Sequence, residues 1–442
     1  MKLSKLALIA AFACGTFAST VFADQLTDLQ LVTCESDCDL GEPICGCERE
    51  CDEDACDAAC DSAGCGLDLI NGRVRHRICD MLSIGDCCLG EPWQLFGNYR
   101  RISIGGWGQL GYQSGPQGFG GPPTAVRPSA ARNLGFNDYP EHVQLQQSWL
   151  FAEKAIDASC GLDIGGRVDF IYGTDAQYLQ ATGNFDEDFD NDWDNGFFYG
   201  SALPQLYMEV GYGDVSVKMG RMLLNFGYES AMAPNNFFYS HSYAFNQVQP
   251  YTGSGAVATY TGLDNVSISA GFIEGLNTGF DSNGDALFAS VGLELTERLG
   301  VQYNVVGGRL LNNSVEPGAF KGAIHSIVAA YDIRCDLQYV MEATLADYEA
   351  GNDPRDYGPT AGISNYFIKK MNDCNSVGLR YEWLGQEFEG TKFNSHELTL
   401  GWNHRRSANL IIRPEVRWDW FTEGSGPSQD HASFAMDAIM TF

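Results

Sequence analysis

From residue 101 to the end of the chain, apolar and polar positions alternate with a period of two, the spacing of strands whose side chains point to opposite faces. Ile102, Ile104, Leu110 and Tyr112 share one face and Ser103, Gln109 and Gln113 the other. Leu162, Ile164, Val168, Phe170 and Tyr172 alternate with Asp163, Gly165, Arg167 and Asp169. Leu337 to Leu345 and Val377 to Trp383 repeat the design, with Gln338, Glu342, Thr344, Arg380 and Glu382 on the polar side. The sharpest case interleaves Leu410, Ile412, Pro414, Val416, Trp418 and Trp420 with Arg413, Glu415, Arg417 and Asp419. Water must lie on the charged side of such a strand. Pro414 cannot donate to a ladder, so a bulge is expected there.

Strands of soluble sandwiches average about 5 or 6 residues. These runs are longer and match the roughly 9 to 11 residues of a tilted membrane strand, with Tyr and Trp toward their ends. The count is about sixteen, centred near residues 107, 149, 167, 208, 219, 258, 269, 291, 304, 327, 341, 366, 380, 399, 415 and 438. Long segments (114–141, 173–204, 224–255, 274–285, 308–321, 346–358, 385–394 and 422–432) alternate with turns such as Gly213-Asp214 and Thr296-Glu297-Arg298. That rhythm predicts an all-β protein: a transmembrane antiparallel up-and-down β-barrel with long outer loops and tight periplasmic turns. The last strand, Phe434 to Phe442, ends on an outward phenylalanine and resembles the signal that barrel assembly machinery reads. It is expected to pair with the first strand.

The N-terminus differs. Lys2 and Lys5, the apolar run Leu6 to Phe17 and Val21-Phe22-Ala23 read as a secretory signal, placing a leader at 1–23. Cys14 makes a poor lipoprotein site because Phe12 is bulky. Residues 24–92 form an acidic periplasmic extension with eleven cysteines between Cys34 and Cys88, and 93–442 form the barrel. No run of 18 apolar residues follows the leader, so no spanning helix is expected. A formal charge of −30 repels polyphosphate, which excludes nucleic acid as a partner. Outer-membrane lipid, the assembly machinery, small solutes or ions and a homo-oligomeric mate are the expected partners, with no cofactor.

A barrel of about sixteen strands leaves an aqueous lumen, whereas about eight leave one filled by side chains. Arg167, Asp169, Arg380, Glu382, Arg413, Arg417 and Asp419 are the expected pore-lining charges, followed by Lys218 and Glu209. Such rings select by sign, although the same charges can simply pair across strands. The aromatic-rich segment from Asn225 to Gly253 is unusual for an outer loop and is expected to fold inward. Here the order Gly220-Arg221, Gly227-Tyr228-Glu229, Asn236, Tyr239-Ser240, Pro250, Gly253 and Gly255 resembles the putative beta-barrel porin-2 (OmpL-like) family. The resemblance implies a passive outer-membrane porin of unassigned substrate and carries no catalytic residues. It does not extend to the Cys-rich stretch.

Two further features carry chemistry. Asp188, Asp190, Asp192 and Asp194 alternate as oxygen donors for Ca²⁺ would, yet the run fails the EF-hand template and a solvated acidic loop is the simpler reading. Fifteen cysteines, an even set once Cys14 leaves with the leader, favour disulfides in an oxidising compartment. Their spacings lack a paired C-x2-C zinc signature. Cys160, Cys335 and Cys374 fall in periplasmic turns and are expected to pair with the N-terminal extension or to join neighbouring barrels. His241-Ser242 suggests a hydrolase only weakly, for no oriented acid is evident in the sequence. The alternative to a porin is a structural or adhesive barrel cross-linked by its N-terminal extension.

Overall fold

The computed structural model describes residues 89–96, 101–114, 136–137, 140–181, 190, 193–195, 198–280, 285–313, 316–350, 358–424, 426 and 428–442. The expected leader, the extension up to Cys88, and Asp188 and Asp192 lie outside the described residues. The strands are β1 (Ser103–Gln113), β2 (Val143–Lys154), β3 (Leu162–Gly173), β4 (Gly200–Tyr212), β5 (Val215–Leu223), β6 (Thr252–Leu263), β7 (Val266–Ile273) and β8 (Asp285–Thr296). They continue as β9 (Leu299–Asn313), β10 (Glu316–Arg334), β11 (Leu337–Ala350), β12 (Thr360–Lys370), β13 (Asn375–Phe388), β14 (Thr391–Ser407), β15 (Leu410–Glu423) and β16 (Gln429–Thr441). Each pairs with its neighbours in sequence, and β16 returns to β1 to close the barrel. Each of the sixteen expected centres falls inside one of these strands.

The period-two pattern explains the two faces. Leu110, Leu162, Met208, Leu287, Leu400, Trp418 and Met440 are exposed on the outer wall, while Trp149, Ile171, Val306, Ile324 and Ile439 are buried inside. An exposed apolar belt of this extent needs lipid to cover it. Closure is antiparallel, with Trp107 opposite Thr441 and Gly108 opposite Met440. Phe442 completes it, its N–H donating to the Gly106 carbonyl at 2.9 Å and its carbonyl accepting the Gly106 N–H at 3.0 Å.

Three expectations are corrected. The segment 308–321 is not a long loop: β9 runs to Asn313 and β10 starts at Glu316, with Gly308 opposite Gly322 and Asn313 opposite Glu316. Nor is the segment 385–394. The β13–β14 ladder runs on to Phe388 opposite Thr391, and Glu389 (φ 50°) and Gly390 (φ 73°) make a two-residue turn of the kind that matches strand twist. Residues beyond the lipid belt need not alternate, so periodicity could not see this extension. Pro414 makes no bulge: its strand keeps register with Met436 across β16. Toward β14 the pairing lapses between Gly401–Glu415 and His404–Ile412 and resumes in the same register, and the irregularity lies at Arg405/Ser407 instead. The missing proline N–H thus interrupts the ladder without shifting it. Pro414→Val should restore that donor and raise stability by about 0.5–1.5 kcal/mol, measured as the urea midpoint of the folded barrel.

Candidate functional site

Between β5 and β6 the chain leaves the wall and folds into the barrel. The excursion starts and ends at one point, where the Leu224 N–H donates to the Tyr251 carbonyl at 3.0 Å. Asn277 braces this neck by accepting from the Tyr251 and Thr252 N–H groups at 3.0 and 2.9 Å. Inside lie a 3-10 turn over Ala233–Asn235 and one helical turn, α1 (Tyr243–Gln247). Ser242 caps α1 by accepting the Phe245 N–H at 3.1 Å, the arrangement that makes serine a favoured N-cap.

A segment with so little regular structure must find other partners for its backbone once buried. The wall supplies them by sign: its acids take the N–H groups and its arginines take the carbonyls. Glu342 accepts from Tyr228 (3.2 Å), Glu415 from Tyr239 and Ser240 (3.0 and 3.1 Å), and Glu382 from Tyr243 and from Ala244 (2.8 Å) at the start of α1. Arg413 donates to the Ala233 carbonyl at 3.0 Å and also to that of Asn236, Arg380 to that of Ser240 at 2.6 Å, and Arg417 to that of His241 at 2.7 Å. Gln147 serves both the Ala231 carbonyl and the Ala233 N–H, and Asn304 the Phe226 carbonyl. Hydrogen bonds to charged groups contribute about 1.5–3 kcal/mol each.

The arginines are in turn neutralised. Arg413 pairs with Asp437, Arg417 with Asp419 at 2.8 Å, and Arg380 with Glu397 and with Glu229 of the segment at 2.7 Å. Glu229 also accepts from the Tyr366 hydroxyl and the Ser242 N–H and faces His241 Nδ1 at 3.2 Å. Burial pushes the Glu229 carboxyl up, but Arg380, His241 and the Ser242 N–H outweigh it and hold the group at about 2, below its ordinary 4.5. Burial lowers His241 from its ordinary 6.5, more than Glu229 raises it. Once released, both groups take up protons at a higher pH than they do when docked. The contribution of this pair to docking is therefore lost as pH falls below about 6.5, and most between about 4.5 and 2. The difference in amide protection of residues 226–244 between the native chain and Glu229→Gln, compared near pH 7 and near pH 3, isolates that contribution; an equal difference at both would contradict it.

Apolar contacts surround the segment. Leu224, Phe226, Tyr243 and Val248 join Val257, Phe288, Val306, Ile324 and Leu384 of the wall. Ala231, Ala233, Phe245 and Tyr251 join Trp107, Trp149 and Ile439, and Phe237 and Phe238 join Val328, Val340 and Tyr366. Room for the two phenylalanines comes from Gly378 and Gly401, opposed across β13 and β14. A Cβ on Gly378 would stand 2.3 Å from the Phe237 ring, and one on Gly401 2.9 Å from that of Phe238.

All seven charges expected to line the lumen point into the barrel. Arg380, Glu382, Arg413, Arg417 and Asp419 are buried beneath the segment. Asp169 is buried against Trp149, Gln205 and Arg167, and Arg167, 15% exposed, reaches Glu153. Glu209 and Lys218 sit opposite each other across β4 and β5, away from the segment. Glu229, Glu342, Glu397, Glu415 and Asp437 also belong to this network and were not among the expected residues. Glu342 and Glu415 showed the inward alternation, whereas Glu229 carried no periodic signal. His241 has an acid after all in Glu229, but its ring stacks on Phe245 and the Ser242 hydroxyl is engaged as a cap. Of the candidate calcium ligands, Asp190 accepts the Ala181 and Leu203 N–H groups, and Asp194 accepts from Gln180. Among the described residues no three His, Cys, Asp or Glu side chains gather as a metal site.

The family model described as Putative beta-barrel porin-2, OmpL-like, matches residues 102–442. Among solved structures the chain is similar to OmpT, an outer membrane protein of Vibrio cholerae in trimer form, at 13% identity and a TM-score of 0.52, covering 77% of this chain and 99% of that one. It is also similar to the outer membrane channel DcaP of Acinetobacter baumannii, at 11% identity and a TM-score of 0.50, covering 77% of this chain and 97% of that one. No curated protein matches the sequence.

Proposed function

The chain belongs to the Putative beta-barrel porin-2, OmpL-like, family of the outer membrane, and on that premise we propose that it is a passive channel whose bore is narrowed by the segment between β5 and β6. The observation that carries this reading is the fixed seat of that segment: wall carboxylates and guanidiniums bind its backbone across the barrel interior. Solutes pass beside a constriction held rigid by charge, and no turnover chemistry is required. The pore-lining role falls first to Arg167, Glu209 and Lys218, with Asp169 buried behind Arg167 and orienting it. Arg380, Glu382, Arg413, Arg417 and Asp419 act by fixing the segment that shapes the bore, and selection by sign follows from their arrangement. One observation favours the structural barrel instead: the segment meets apolar clusters on all sides of the wall. Single-channel recording in planar bilayers separates the two, since only a channel gives discrete ion steps.

A further inference from the structure

We propose that the acidic, cysteine-rich stretch 24–88 is seated against the short-turn end of the barrel beneath β10 to β15. It is tied there by one disulfide from Cys374 to Cys87 or Cys88 and a second from Cys335 to a cysteine further upstream. This goes beyond the channel reading and does not depend on conduction.

Three observations converge. First, Cys335 and Cys374 are disulfide-bonded, whereas Cys160, in the β2–β3 turn, is an exposed free thiol. Second, the chain arrives at the same place. The Ala408 N–H donates to the Leu89 carbonyl at 2.9 Å, and Asn409 holds Trp93 by both its N–H and its carbonyl, each at 2.9 Å. On the same strand end, the Arg405 N–H donates to the Cys374 carbonyl at 2.7 Å. Leu89 and Cys374 therefore touch β14 and its turn three residues apart, about 10 Å along a strand. Cys88 and Cys87 directly precede Leu89, and each residue extends the reach by up to about 3.8 Å. Either can thus come within the roughly 4.4–6.8 Å Cα separation that a disulfide needs. The β10–β11 turn holding Cys335 lies about three strand spacings away, roughly 14 Å, a span that the residues between Cys79 and Cys87 cover.

Third, charge chooses the half of the rim. Beneath β10 to β15 stand Arg334, Lys369, Lys370, Arg405 and Arg406. Arg334 and Lys369 share Asp336, and Lys370 faces Asp373, which leaves Arg405 and Arg406 outside the ion pairs of the described residues. Under β2 to β7 the turns carry Asp157, Asp214 and Asp264, and the free thiol Cys160 lies on that acidic side. Between Asp24 and Cys88 the incoming stretch has sixteen carboxylates against four arginines, thirteen of the carboxylates lying before residue 62 and three of the arginines (Arg73, Arg75 and Arg77) after it. It is drawn to the basic half and repelled from the other, so Cys335 and Cys374 are within its reach and Cys160 is not. Each disulfide forms by thiol–disulfide exchange. One thiolate attacks a disulfide-bearing periplasmic oxidant, the second displaces it, and the oxidant leaves as a dithiol with the two electrons and two protons of the pair.

The full-length protein is isolated from outer membranes, alkylated without reduction, digested and mapped. The expected result is Cys374 joined to the Cys87-Cys88 peptide, Cys335 joined to another peptide of residues 34–79, and Cys160 recovered alkylated. A Cys335–Cys374 link, free thiols at both positions, or a reducible dimer through either residue would overturn the proposal. A Cys335→Ser/Cys374→Ser variant with a normally closed, heat-modifiable barrel tests the charge contribution. Its stretch should resist a glutamate-specific protease at low salt and lose that protection at high salt, whereas the native chain stays protected at both. Equal cleavage of native and variant chains at low and high salt would overturn the docking.

Discussion

Replacing Arg380 with alanine is expected to destabilise the folded barrel by about 3–5 kcal/mol, the cost of removing one partner from a buried charge network. The guanidinium has no solvent exposure and bridges Glu229 of the segment, Glu397 of β14, and the carbonyl and hydroxyl of Ser240. Without it, Glu397 keeps only Arg417 at 3.5 Å, buried Glu229 has no arginine, and the segment loses the only ion pair that joins it to an arginine of the wall among the described residues. Arg380→Lys keeps the charge but not the fork of donors, so it should recover part of the loss. Urea unfolding in detergent micelles, followed by tryptophan fluorescence and heat-modifiable gel migration, gives the number. A shift below about 1 kcal/mol would show that Arg380 is not the clamp.

Gly378→Leu should expel the segment without touching any charge. The glycine faces inward beneath Phe237, and even a Cβ would overlap that ring. Its neighbour across the ladder, Gly401, is equally close to Phe238. Backbone positions in a closed barrel cannot move aside singly, so the phenylalanines must leave. Overpacking of this kind costs about 1–3 kcal/mol, small for the barrel ladder but comparable to one or two of the hydrogen bonds that seat the segment. The expected outcome is a barrel that still migrates as folded, rapid amide exchange over residues 226–244, and a larger conductance. A variant with native exchange rates over those residues would contradict the packing described.

The barrel was legible because lipid imposes a period: the strands around residues 107, 167, 341, 380 and 415 showed it, as did the last one down to the terminal Phe442. The lumen charges were legible for the same reason, since an inward position on a strand is fixed by its neighbours. What they touch was not. Arg380 meets Glu229 across 151 residues and Arg413 meets Ala233 across 180, and alternation says nothing about a partner so distant. The aromatic density of 225–253 hinted at an inward fold, but the two glycines that make room for Phe237 and Phe238 looked like ordinary strand glycines. Pro414 misled because a proline can interrupt a ladder without adding a residue. The acidic run around Asp190 was ambiguous because a carboxylate that accepts backbone N–H groups has the same sequence signature as one that binds a cation.

The neck of the segment allows a direct test, because Leu224 and Tyr251 are already hydrogen-bonded. Residues 227–248 can be replaced by a short glycine-serine linker without stretching β5 or β6. Single-channel conductance and reversal potential, measured for the native chain and this variant in the same bilayer, report what the segment does. A channel narrowed by the segment predicts discrete steps from the native chain, several-fold larger steps from the variant, and a reversal potential that moves toward zero. Identical conductance and selectivity in the two, or silence from both despite closed barrels, would contradict it.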